Sequence, residues 1–329
     1  MDKTAIASLM KEDGRLFSWA SKVARKLDLT AEEKDISKEI TAWANEIGNS
    51  GRDRDGSFAS YIKSVVTPEL DASRDALIDM IFNQGQIGEF DEKIYTKLPK
   101  NTLKAYDSAK GGNVPKSYLD VGNLKPTLKH SQVEFEVPYI EFRKPDSFKT
   151  VAKYTVYAEE ALKNKLFSDV FNVLDATITG TAVGGGNLTL QVMDTFTTDL
   201  YDRMETDDTK LIVTLNKYAN QIGRLSGYAD YLSNDMKNEL NKYGMAKMFN
   251  GFNIAGLSGY KKTQDGQLVI PDKKVFAFLG KVGDIDMRGD IRVYETSDNN
   301  KEVLNVKITG FDYSFAITKP DKVHKLTLS

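Results

Sequence analysis

The chain has 329 residues, 40% hydrophobic and 28% charged, the profile of a globular protein with length for one large domain or two ordinary ones and a core that needs no staple. Its 45 Lys and Arg against 47 Asp and Glu leave a formal charge of -2, so no global basic field draws it onto nucleic acid. With Cys 0 and His 2, disulfide frameworks, thiol nucleophiles, zinc ribbons and iron–sulfur clusters are excluded, and a metal site or Ser-His-Asp triad would have to rest on His130 or His324.

Residues 1–10 (MDKTAIASLM) lack the basic and apolar regions of a secretory leader, and no stretch approaches the ~18–20 apolar residues of a membrane helix. The expectation is a protein made and kept soluble in a cytoplasm. Residues 1–56 read as a charged helical segment. Leu16, Phe17, Ala20, Val23, Ala24 and Leu27 form one helical stripe. Thr30 opens a second helix with Glu33 three residues on, a capping box, and its stripe is Ile36, Ile40, Trp43 and Ile47, with Gly48 as the stop. The turn-rich 49–56 (NSGRDRDG) is a candidate linker. Such a pair of amphipathic helices calls for a partner surface.

From 114 to 149 the texture changes. Pro115, Pro126, Pro138 and Pro145 interrupt a run rich in β-formers, in which Val133, Phe135 and Val137 alternate with Glu134 and Glu136. Pro138 argues for an edge strand or a two-stranded ribbon. A ribbon of this length has too little core of its own and must lie on something. Residues 157–179 then form the longest helical pattern, with Glu159 and Glu160 in its first turn and a stripe of Ala158, Leu162, Leu166, Val170 and Leu174 closed by Gly180. Residues 187–282 read as an α/β unit: a buried strand at 211–215, helices at 217–225 and 233–243, the second stopped by Gly244, a tight Asp265-Gly266 hairpin, and a strand at 274–279. The tail is all strand, at 291–295, 302–309, 311–318 and 323–328, with Gly310 as a turn between the second and third.

The string from Asp284 to Glu295 (DIDMRGDIRVYE) is the nearest approach to a chemical site. It almost fits a calcium loop, but Arg288 places a cation at a ligand position and strands flank it, so a solvated acidic turn is the better reading. It also contains Arg288-Gly289-Asp290, a cell-attachment tripeptide too short to decide anything. Gly184, Gly185 and Gly186 lack the Lys-Ser or Lys-Thr of a phosphate cradle, and Gly251, Gly256 and Gly259 fit close packing and turns. His130 and His324 read as surface histidines, and Glu159 and Glu160 as capping carboxylates. No catalytic, cofactor-binding or metal residue is assigned, and the chain is not expected to be an enzyme.

The order of parts resembles the major capsid protein of tailed bacteriophages, the Hong Kong 97-type fold. The resemblance covers residues 90 to 329 and implies an α+β capsid fold with an N-terminal helical arm, an extended β-ribbon loop, a long spine helix, and axial and peripheral domains. It places a helical N-terminal segment at 1–56, an arm at 57–113, the extended loop at 114–149, the spine helix at 157–179 within a peripheral domain of 150–205 and 284–329, and an axial domain at 206–283. It implies pentamers and hexamers that form an icosahedral head around double-stranded DNA without sequence-specific binding. Scaffolding and portal partners, arms and ribbons buried on neighbouring subunits, no membrane, and a place in the virion after synthesis in the host cytoplasm follow from the same resemblance. Some family members lose an N-terminal scaffolding segment, so residues 1–56 are either such a segment or a retained arm. The rival readings are an encapsulin-type compartment, a phage neck or tail ring protein, and an enzyme with a metal at 284–295.

Overall fold

The computed structural model describes residues 15–50, 56–72, 76–91, 93–96, 122–183, 188–204, 208–228, 233–243, 246–259 and 266–328. Its axis is a helix of 31 residues, α6 (Ser147–Thr177), against which the N-terminal helices α1 (Arg15–Ala24), α2 (Ala31–Ser50) and α3 (Ser57–Ala72) all pack. The α2 start is the capping box: Thr30 N donates to Glu33 Oε2 at 2.8 Å, and Glu33 N donates to Thr30 Oγ1 at 3.3 Å. Leu16, Trp19, Ala20, Val23, Ile40, Trp43 and Ile47 are buried in the chain's own core, so the described part of this segment needs no neighbouring subunit to cover it. Aromatic contacts join the layer: Trp43 lies 5.4 Å from Tyr61 and 6.0 Å from Phe58, and Phe58 meets Phe142 edge-on at 5.2 Å. Leu27 lies beyond the first helix and is exposed, and α2 runs past Gly48, whose carbonyl accepts from Arg143 Nε at 2.7 Å.

The long helix begins at Ser147, ahead of the expected 157. Val151, Ala152, Thr155 and Val156 continue the buried stripe through the added turns. Glu159 and Glu160 are therefore mid-helix rather than capping, and Glu159 is buried against Lys163.

Two sheets flank the rod. After the short helix α4 (Ala76–Ile81), β1 (Phe82–Ile87) runs parallel to β10 (Gly283–Arg288). β10 and β11 (Arg292–Asp298) follow one another along one side of the long β12 (Val303–Ile317), and β4 (Thr127–Pro138) runs antiparallel along its other side. The ribbon expected at 114–149 is thus, over 127–138, an edge strand lying on β12, with Pro138 at its end as the missing amide requires. The short helix α5 (Tyr139–Phe142) leads from it to α6, and residues 114–121 lie outside the described residues. Gly310 does not end a strand. It sits at φ +80°, where the β12–β4 register shifts, and bulges β12 without breaking it.

The second sheet has the order β5-β13-β9-β6-β8-β7, from β5 (Gly180–Val183), β6 (Lys210–Leu215), β7 (Met248–Phe249), β8 (Phe252–Leu257), β9 (Lys274–Leu279) and β13 (Val323–Leu328). It carries α7 (Leu190–Tyr201) and α8 (Asn216–Gly223), and α9 (Asn234–Tyr243) brings Leu240 against Gly223 of α8. The last strand, expected with the other tail strands, pairs instead with β9 and β5. Gly180 opens β5 rather than closing the helix. Gly184 to Gly186, Gly244 and Asp265 lie outside the described residues. The rod is tied to both sheets by buried and half-buried polar contacts. Tyr313 on β12 donates to Asp169 at 2.8 Å, while Lys325 on β13 and Lys274 on β9 reach Asp175 at 2.9 and 3.3 Å. No helix among the described residues is long and apolar enough to cross a membrane.

Candidate functional site

The chain leaves the five-stranded sheet after β1 and returns to it at β4. The two ends of this excursion meet: β2 (Tyr95–Thr96) pairs antiparallel with β3 (Asn123–Leu124), so the intervening chain starts and finishes at one point. Residues 97–121 of it lie outside the described residues.

The outgoing end is fastened by a buried carboxylate. Asp286 on β10 faces Gly85 on β1 and Ser314 on β12 across the sheet. Lys93 donates to both Asp286 oxygens at 2.9 and 2.8 Å, Tyr95 OH donates to Oδ2, and Tyr95 OH lies 3.1 Å from Ser314 Oγ. Gly85 has no side chain because a Cβ there would run into the Asp286 carboxylate. Burial, and then the bond to Asp286, push the Tyr95 hydroxyl well above the ordinary tyrosine range, so it stays a neutral donor. A buried carboxylate with this many donors is held hard in place, and so is whatever donates to it.

One turn earlier, residues 88–91 make a tight reversal in which Asp91 N donates to Gly88 O and Gly88 N to Asp91 Oδ2, each at 3.1 Å. Arg288 donates to the carbonyls of Glu89 and Asp91 at 3.3 and 2.5 Å, and Arg292 pairs with Glu89 at 2.5 Å.

These contacts decide the string from Asp284 to Glu295. It is strand, bulge and strand, and its carboxylates disperse. Asp284 accepts from Asn83, Asp286 binds Lys93 and Tyr95, and Glu295 accepts from the amide of Ala59. Among the described residues, no three His, Asp or Glu side chains are grouped to hold a metal ion. Arg288, Gly289 and Asp290 form the junction between β10 and β11, with Arg288 committed to the 88–91 turn. Gly251 takes φ +75° in the turn from β7 to β8.

His130 on β4 is exposed, as expected, and lies 3.1 Å from Asp312. His324 is half-buried rather than fully exposed. Its ring lies tilted against Phe196 at 4.8 Å, Nδ1 faces the Phe196 carbonyl at 3.3 Å, and Nε2 faces Thr181 Oγ1 at 3.2 Å. Burial lowers its pKa, and the contact to the Phe196 carbonyl opposes that shift. The ring contributes packing and two hydrogen bonds.

The arrangement resembles solved structures at low sequence identity. A structure of Gordonia phage Cozz aligns with 77% of this chain and 86% of its own at 9% identity and a TM-score of 0.57. The capsid of a native GTA particle aligns over 77% and 89% at 10% identity and 0.53, and the mature capsid of bacteriophage PhiM1 over 75% and 86% at 10% and 0.50. The chain has the Hong Kong 97-type capsid fold. No protein-family model and no curated protein sequence matches it. In this capsid fold α6 is the spine helix, and the paired strands β2 and β3 are the root of the excursion that leaves the five-stranded sheet after β1. Sequence reasoning missed that root, because its fastening joins Lys93 and Tyr95 to a residue of another strand far along the chain, Asp286.

Proposed function

We propose that this chain is the subunit of a closed protein shell, the major capsid protein of a tailed bacteriophage. The observation that carries the reading is the match of most of the chain to capsids solved as assembled particles. On this reading copies form pentamers and hexamers, these close into an icosahedral head, and the head encloses double-stranded DNA. Separate scaffolding and portal proteins are the partners it expects, and the virion is its final place. The five-stranded sheet with the long helix serves as the peripheral domain, the six-stranded sheet, which takes in β5 and β13 beside the strands of 206–283, as the axial domain, and β2 with β3 as the root of the extended loop. The charge of -2 fits close packing of many copies around a genome that is contained rather than gripped. The N-terminal helices are a retained part of the subunit, since their apolar faces are buried against the spine helix.

Native mass spectrometry of the purified chain tests the reading. Species of five and six copies support it. A single ring of another number points to a neck or tail protein, and a strict monomer, even with crowding agents, contradicts it.

A further inference from the structure

We propose that the Phe90 turn of one copy of this chain docks into the groove beside α8 of a second copy. The inference rests on the reading of the chain as a self-assembling subunit and adds the contact by which copies join. Phe90 is 90% exposed and Ile94, just beyond it, is 69% exposed. Scattered apolar side chains on a surface are ordinary. This one stands on a turn fixed by its own two hydrogen bonds, by Arg288 on two carbonyls and by the Arg292–Glu89 pair. Gly289, at φ +63°, lets the Glu89 side chain come within 3.1 Å of where a Cβ would stand. The junction at Arg288-Gly289-Asp290 is therefore the seat of the turn. A ring presented this rigidly loses little freedom on docking.

The matching hollow lies on the other sheet's side of the molecule. It has a volume of about 530 Å³ and is lined by Leu188 and Leu225 with Lys217, Asn220, Gln221 and Arg224 around them. Both leucines are buried. Lys217 is engaged by Asp272 at 2.5 Å, but Arg224 has no ion pair among the described residues, and neither has Asp91 beside Phe90. An apolar ring flanked by an anion thus answers a hollow with leucines at its floor, walled by the stems of polar side chains and edged by a cation. The exposure of Phe90 shows that the ring does not enter the groove of its own chain. Knob and groove at different places on one chain make a head-to-tail contact, which closes into a ring or continues from copy to copy.

The natural chain contains Cys 0, so paired cysteines report the contact cleanly. A chain carrying Phe90→Cys together with Ser226→Cys, at the groove's edge, should oxidise to a ladder of covalent dimers, trimers and larger species. Either cysteine alone should give none. Phe90→Ala, at an exposed position that leaves the fold intact, should raise the concentration needed for association about tenfold or more. Wild-type capsomers together with no ladder, or with Phe90→Ala associating normally, would overturn the docking contact while the shell reading stands. A wild-type chain that never associates would overturn both.

Discussion

Replacing Trp19 by alanine tests whether the N-terminal helices belong to the folded subunit or wait for a neighbour. Trp19 is 0% exposed, its ring centroid lies 6.5 Å from that of Phe148 on the spine helix, and Nε1 donates to Ser37 Oγ at 3.0 Å. Deleting a wholly buried Trp side chain costs about 3–5 kcal/mol, from lost transfer energy and the cavity left behind. The lost indole bond adds little, because Ser37 Oγ keeps its own bond to the Glu33 carbonyl at 2.8 Å. The sequence holds Trp 2, so in W19A the remaining Trp43 is the only indole reporter. Urea unfolding of dissociated subunits, followed by Trp43 fluorescence and by circular dichroism, should show a loss of about 3–5 kcal/mol. A loss within about 0.5 kcal/mol, the range of a surface substitution, would refute the packing of this segment on its own chain.

Thr30→Ala should cost about 1 kcal/mol by removing the capping oxygen of α2, measured in the same unfolding experiment. Gly85→Ala places a methyl group against the Asp286 carboxylate and should cost about 1–3 kcal/mol, with faster hydrogen exchange at residues 93–96 as Lys93 and Tyr95 lose their acceptor. Unchanged exchange there would show that Asp286 is not what fastens the excursion. His324 should titrate in NMR below the usual histidine value of about 6.5, because burial disfavours its charged form. Its folded pKa being lowered, the unfolded chain takes up the proton first. The contribution of His324 to stability is therefore full above about pH 6.5 and declines as pH falls toward the folded value, and His324→Gln should flatten that slope.

The parts readable from sequence are those specified by near neighbours in the chain. The Thr30–Glu33 box is local chemistry and stands where the residues place it. The buried strand β6 and the alternation of β4 follow from side chains on each element alone. The spine helix was legible only in part. Thr150, Val151, Thr155 and Val156 are β-branched and follow Pro145, so local preference favours an extended chain, and packing against α1, α2 and α3 overrides it. The excursion's root was illegible for a different reason. Phe82 pairs with Gly283 and Tyr95 with Asp286, and nothing near either partner signals the other. Without that covering, Asp284 and Asp286 ahead of Gly289 look like a solvated acidic turn, although residues 283–288 are strand β10 and Asp286 is buried. Gly310 carries the sequence mark of a turn because a bulge inside a long strand leaves the same mark.

Electron microscopy of the purified chain, with light scattering on the same sample, tests the central claim most directly. The account predicts closed, uniform particles built from rings of copies, with scaffolding protein supplied if the chain alone stops at the rings. A chain that stays monomeric, or that forms only open tubes, with scaffold and crowding agents present would contradict it.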